Sequence, residues 1–162
     1  MNGLASFCFR IWGACMADLV WLHEGALRLT HPVFAAAGPD AAVVFIWDAE
    51  RLAASHVGLK RQLFIYETLA EMASSRAIDI FEGRAESLLP QLGDGSSRIL
   101  VPASPDPAIR AGIGGLRQAA TGHEIVEIED TPFVTLSMQP DLGRFFRYWN
   151  KAKKSAMRPQ GI

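Results

Sequence analysis

Cysteine is almost absent from this chain: there are two, Cys8 and Cys15, both within the first fifteen residues. Neither a disulfide framework nor a metal-ligand spacing can be built from them, and a reducing, cytoplasmic setting is the expectation. Charge imbalance is absent too, with 16 Lys+Arg against 17 Asp+Glu and a formal net charge of −1. A balanced chain does not hold a polyanion by bulk charge, so direct nucleic-acid binding is not expected. No apolar run reaches the ~18–20 residues that span a bilayer, so no membrane partner is expected either. Nucleotide signatures are missing as well. The first strand runs into His23-Glu24-Gly25-Ala26-Leu27-Arg28, with one glycine where a dinucleotide fingerprint needs several. Gly112, Gly114 and Gly115 sit inside a helical pattern instead of at a strand end, and there is no Walker motif. No nucleophile elbow, Ser/His/Asp order or close carboxylate pair stands out. The histidines, His23, His31, His56 and His123, make no metal pair at ligand spacing. A self-contained catalytic centre is therefore not expected.

What is present is a regular alternation of two patterns. Hydrophobic residues form 49% of the chain and charged residues 20%, the balance of a packed globular protein. Its 162 residues suit one core and are expected to leave no room for a second, catalytic domain. Apolar runs occupy 17–23 (ADLVWLH), 41–48 (AAVVFIWD), 78–81 (IDIF), 97–101 (SRILV) and 124–128 (EIVEI). Near-continuous runs indicate strands buried on both faces, and the alternation in the third and fifth suits the edges. Helical patterns lie between them. A short one covers 32–37, capped by Thr30 or His31 with Pro32 in its first turn. The longest covers 57–74, where Leu59, Leu63, Tyr66, Leu69 and Met72 make an apolar stripe. Further patterns cover 85–92 and 107–120, the latter expected to end at Gly122. The order predicts an α/β fold: a Rossmann-like, doubly wound, five-stranded parallel sheet with flanking helices.

The two ends differ from this middle. Residues 1–15 are apolar with a single charge, Arg10, and lack the basic start of a signal peptide; Met16 is the expected natural start. Residues 16–130 form the expected α/β domain, and 131–162 a connector and a C-terminal aromatic and basic helix. That helix gathers Phe145, Phe146, Tyr148 and Trp149 among Arg144, Arg147, Lys151, Lys153 and Lys154. Residues 141–162 are a candidate docking surface for a separate flavin domain or a second copy of the chain. Single-stranded nucleic acid is a weaker reading of the same cluster. Packing of Phe145, Phe146 and Trp149 on the sheet is the preferred alternative to it.

In open α/β sheets, ligands bind beyond the carboxyl ends of the strands. His23, Trp47, Asp48 and Ser104 fall there, although Asp48 could equally cap a turn and Trp47 pack at the rim. Lys60 and Arg61 begin the long helix, where cations oppose its dipole; an anionic partner or a solvated face accounts for them.

These pieces resemble the opening of the DNA photolyase and cryptochrome family. Asp18-Leu19-Val20-Trp21-Leu22, followed by Leu27-Arg28-Leu29-Thr30-His31-Pro32, is similar to its first strand and Leu-Arg-Leu motif. Val43-Val44-Phe45-Ile46-Trp47-Asp48 resembles its second strand. Arg61-Gln62-Leu63-Phe64-Ile65-Tyr66-Glu67-Thr68-Leu69 is similar to its Arg-x-x-Phe-Leu-x-x-Ser-Leu helix. Glu82-Gly83 and Leu88-Leu89-Pro90-Gln91-Leu92 match the segment after its third strand. The resemblance covers about 17–130. It departs from the family at His23-Glu24-Gly25-Ala26 and at Ser104-Pro105-Asp106-Pro107. It implies a domain that holds a light-harvesting antenna, a folate or a deazaflavin, and lacks the helical half that binds FAD and damaged DNA. FAD is accordingly not expected on this chain. A small planar or nucleotide-like ligand is expected on His23, Glu24, Arg28, Trp47, Asp48, Arg61 and Ser104, with Arg28 alternatively tying the first loop to the sheet.

Overall fold

A computed structural model describes residues 18–93, 96, 98–136, 139 and 143–156. The expected leader, both cysteines, residues 141–142 and the tail from 157 lie outside the described residues. The chain divides into two compact units, Met1–Glu129 and Asp130–Ile162.

In the first unit the strands are β1 (Leu19–Leu22), β2 (Ala42–Trp47), β3 (Asp79–Glu82), β4 (Arg98–Pro102) and β5 (Glu124–Ile128). They form one sheet in the order β3-β2-β1-β4-β5, and every pairing is parallel. The predicted five-stranded α/β fold is therefore the fold observed, with the third and fifth strands at the edges. β1 is central, and all four of its residues are buried. Its side chains alternate between two cores, as period-two geometry requires. Leu19 and Trp21 join Val44, Ile46, Ile99 and Val101 on one face. Val20 and Leu22 join Val43, Phe45 and Leu100 on the other.

Helices cover both faces. α1 (Pro32–Ala37) and α3 (Leu59–Ala73) bury Val33, Phe34, Ile65, Leu69 and Met72 in the second core. α4 (Ala85–Leu92) and α5 (Pro107–Ala119) bury Leu89, Ile109, Ile113 and Leu116 in the first. His31 is the cap of α1: its Nδ1 accepts from the Val33 N–H at 3.1 Å. The amino ends of β1 and β4 are clamped by a two-pronged ion pair, in which Arg98 Nε donates to Asp18 Oδ1 at 2.9 Å and its other nitrogen donates to Oδ2.

Three local expectations need correction. An additional helix, α2 (Ala49–Ala54), follows β2 directly; with six residues and one buried side chain, Leu52, it has too little periodicity to announce itself. α5 ends at Ala120, whose N–H bonds the Leu116 carbonyl, and not at Gly122. The expected stripe of α3 is in fact two neighbouring stripes. Ile65, Leu69 and Met72 face the sheet, whereas Leu59, Leu63 and Tyr66 are exposed. Both runs follow three- and four-residue steps, and spacing alone cannot say which one meets the sheet.

In the second unit, α6 (Phe145–Ala156) carries Phe145 stacked on Trp149 with ring planes at 10° and centroids 6.1 Å apart. Phe145 and Phe146 are exposed, at 66% and 74%. No described helix is long and apolar enough to cross a membrane.

Gly114 lies inside α5, and a Cβ built there meets no atom within 4 Å. Gly114→Ala therefore restricts the unfolded chain without a clash and is expected to stabilise the protein by about 0.5–1 kcal/mol. Urea unfolding reads this as a higher midpoint at unchanged slope.

Candidate functional site

The chain order reverses between β1 and β4, the place where doubly wound sheets open a ligand crevice. The two strands are in paired register only at Leu19–Ile99 and Val20–Leu100. Beyond that point His23 bridges them. Its ring is 2% exposed, and Nε2 lies 2.8 Å from the Pro102 carbonyl oxygen of β4. The Gly25 N–H donates to Nδ1 at 3.1 Å. Nδ1 is thus the acceptor, so Nε2 carries the proton and donates to Pro102, which fixes one neutral tautomer. Burial pushes the His23 pKa down, and the Pro102 carbonyl and Glu24 only partly oppose it. Gly25 makes this fit feasible, because a Cβ there would stand 3.2 Å from the ring.

Next to the imidazole lies a two-pronged ion pair. Arg51 Nη2 donates to Glu24 Oε2 at 3.0 Å, and Nη1 donates to Oε1 at 2.5 Å. The two side chains are only 19% and 13% exposed. Burial pushes the Glu24 carboxyl up, but hydrogen bonds and the charge of Arg51 outweigh it, and the net direction is down. The hydrogen bond to Glu24, above all, raises Arg51. Asp48 caps α2, with Oδ1 accepting from the Arg51 N–H at 2.9 Å. Arg51 is thereby held twice, by its backbone and by its guanidinium.

These groups surround a small recess walled by Trp21, His23, Asp48, Arg51, Glu86 and Gly112. Its volume is about 20 Å³ in terms of the space open to a water centre, room for a water molecule or two. Carboxylates dominate its surroundings. Glu86 is paired with Arg84, whose Nε donates to it at 2.8 Å, while Asp106 caps α5 by accepting from the Ala108 N–H at 2.8 Å. Among the described residues, no group of three or more His, Cys, Asp and Glu is placed to hold a metal ion.

The sequence-derived candidates divide accordingly. His23, Glu24 and Asp48 come together here. Ser104 is nearby in sequence to the α5 cap, and its Oγ accepts from the Asp106 N–H at 3.2 Å. Trp47 closes β2 on the opposite face, beside Phe45 at 6.1 Å. Arg28 is exposed in the β1–α1 loop. Arg61 lies on α3 with its guanidinium 5.6 Å from the Phe64 ring centroid. None of these last three lines the recess. Sequence reasoning missed Trp21, Arg51, Glu86 and Gly112. Trp21 was within reach, since residues two apart on a strand share a face and His23 was already singled out.

Because folding holds His23 neutral, the unfolded chain takes up its proton first as the pH falls. The stability tied to this ring is fully present above about pH 6.5 and is lost as the pH drops below it. His23→Leu leaves the Pro102 carbonyl unpaired and is expected to cost about 1–3 kcal/mol at neutral pH. It also removes this part of the pH dependence, which urea unfolding of both proteins at neutral and mildly acidic pH would measure.

No protein-family model matches the chain, and no curated protein matches it in sequence. Solved structures do. An archaeal photolyase from Sulfolobus tokodaii, whose structure holds two FAD molecules and implies a novel light-harvesting cofactor, matches with a TM-score of 0.58 at 19% identity. A bacterial class III photolyase from Agrobacterium tumefaciens matches with a TM-score of 0.53, also at 19% identity. In both cases 85% of this chain is covered, against 35% and 30% of the photolyase. The chain thus spans about a third of the length of the photolyases it matches. Its fold is that of the N-terminal Rossmann-like domain of the photolyases.

Proposed function

We propose that this photolyase-like domain binds the ring system of an antenna-type cofactor, a flavin, a folate or a deazaflavin, at the carboxyl edge of its sheet. The observation that carries the reading is the recess between Trp21, His23, Asp48, Arg51 and Glu86, at the switch point between β1 and β4. Its chemistry selects the part of the ligand. Asp48, Glu86 and Glu24 are acceptors and repel phosphate, so the donor edge of a heterocycle fits where a pyrophosphate does not. Trp21 offers an aromatic wall. A water-sized recess does not hold a ring, so entry requires the Arg51 guanidinium to leave Glu24. The ligand then replaces one held polar network by another. The Sulfolobus photolyase holds two FAD molecules, which adds FAD to the candidates despite the sequence-based expectation. Arg28, Arg61, Trp47 and Ser104 are assigned outside this contact, as supports of the surrounding loops and of α3.

A second reading rests on exposed Phe145 and Phe146 beside Arg144, Arg147, Lys151 and Lys153 in the second unit. It makes α6 a docking helix for a separately encoded flavin domain or a second copy of the chain. Under this reading Phe145→Ser/Phe146→Ser sharply lowers co-purification with an added photolyase flavin domain; unchanged recovery counts against it.

The first reading is tested by titrating the purified protein with methenyltetrahydrofolate, a deazaflavin, FAD and ATP while following absorbance and heat. One of the first three is expected to bind with a Kd of about 1–50 µM, and ATP more weakly. Glu86→Gln, which takes an acceptor from the rim, is expected to weaken that binding about tenfold. Silence of all four ligands sinks the proposal; tightest binding of ATP shows phosphate recognition instead.

A further inference from the structure

The outward face of α3 poses a problem that the strand-end site does not touch. Leu59 is 80% exposed, Leu63 54% and Tyr66 57%. With Ala70 and Ala73, also exposed, they follow steps of four, three, four and three residues along the whole fifteen-residue helix. That spacing matches two heptads of a coiled-coil seam, on a helix whose other stripe is already buried in the sheet. Charge on this helix also runs against its dipole. The first turn carries Lys60 and Arg61 and no acid; the second half carries Glu67 and Glu71, and the last turn no base. Within a lone helix this order is unfavourable.

We infer that α3 is a self-association surface, pairing antiparallel with α3 of a second copy about a two-fold axis at Tyr66. Both anomalies are resolved by that arrangement. Inverting the helix about Tyr66 sets Leu59 against the partner's Ala73 and Leu63 against the partner's Ala70, large side chain opposite small. It sets Lys60 opposite the partner's Glu71, and both lie on the same flank of the seam. The midpoints of all three pairs fall within one residue of Tyr66. In an antiparallel two-fold pair each flank meets its own copy, so the charges on that flank are self-complementary. Lys60 also comes to lie beside the carboxyl end of the partner helix, where a cation is favoured. Phe64 falls off the seam and carries Arg61 over its ring.

Size sets the strength. A helix of this length extends about 22 Å. One such pair buries less than the roughly 800 Å² per partner of a standard interface. The dimer is therefore reversible and dissociates in the micromolar range or above.

The test uses the full chain with Cys8→Ser and Cys15→Ser. Tyr66→Cys places a thiol on the axis, opposite its own copy and within disulfide reach for helices about 8–10 Å apart. It is expected to give a cross-linked dimer under mild oxidation. Leu59→Cys places its two copies about 20 Å apart and gives none, yet it cross-links to Ala73→Cys on a second chain. In sedimentation, Leu63→Glu weakens dimerisation at least about tenfold. Lys60→Glu weakens it several-fold, and adding Glu71→Lys restores it, a rescue that misfolding cannot imitate. Phe145→Ser/Phe146→Ser leaves the Tyr66→Cys cross-link in place. A chain monomeric to millimolar concentration overturns the inference and leaves the seam to a different partner. A dimer indifferent to the charge exchange overturns this interface.

Discussion

The hydrogen bond from His23 to the Pro102 carbonyl is the interaction around which the carboxyl edge is organised. A doubly wound parallel sheet separates its helices where the chain order reverses, and the gap left there is what ligands usually fill. In this protein the gap lies between β1 and β4, and a buried imidazole spans it. Its geometry then constrains its neighbours. Gly25 leaves the ring its room, since a Cβ there would stand 3.2 Å from it and make the imidazole shift. Glu24 follows His23 directly, and Arg51 meets its carboxylate from α2. Asp48 caps α2 and so sets where Arg51 begins. One neutral ring thus anchors a polar layer that is satisfied from within: among the described residues, no buried side-chain nitrogen or oxygen lacks a partner.

A satisfied layer changes what binding means. In an open pocket a ligand displaces water. Under the proposed function a ligand would instead displace the Arg51–Glu24 contact, and leaving either charge buried without a partner is costly. Selectivity follows from that cost. A ligand that presents donors to the carboxylates, or an acceptor to the guanidinium, restores what it breaks, and an apolar ring alone does not.

The strands were legible because a parallel sheet covered on both faces needs unbroken apolar runs, and Val43 to Ile46 could be little else. The edges were legible from the alternation of Asp79 to Phe81 and of Glu124 to Ile128. Two kinds of feature were not. The orientation of α3 was hidden because it bears two adjacent stripes, and propensity is blind to which one the sheet accepts. The Glu24–Arg51 pair was hidden by a separation of 27 positions in the sequence: only the fold brings its members together. Asp48 was seen as a strand-end residue with a cap as its alternative. The structure gives it both attributes, since the cap of α2 is what carries Arg51 to the strand end.

The central strand also imposes an order in time. β1 precedes the other four strands of its sheet, yet its neighbour on one side, β4, is the fourth of the five to be made. Asp18 bonds Arg98, and His23 bonds Pro102, across 80 and 79 residues. During synthesis β1 can pair with β2 early, but its other edge stays open until β4 has left the ribosome. Four buried residues, Leu19 to Leu22, therefore wait half-covered while the chain as far as Pro102 is made. The nascent chain is most open to mispairing and to chaperone capture in that interval, and it ends when the histidine finds its carbonyl.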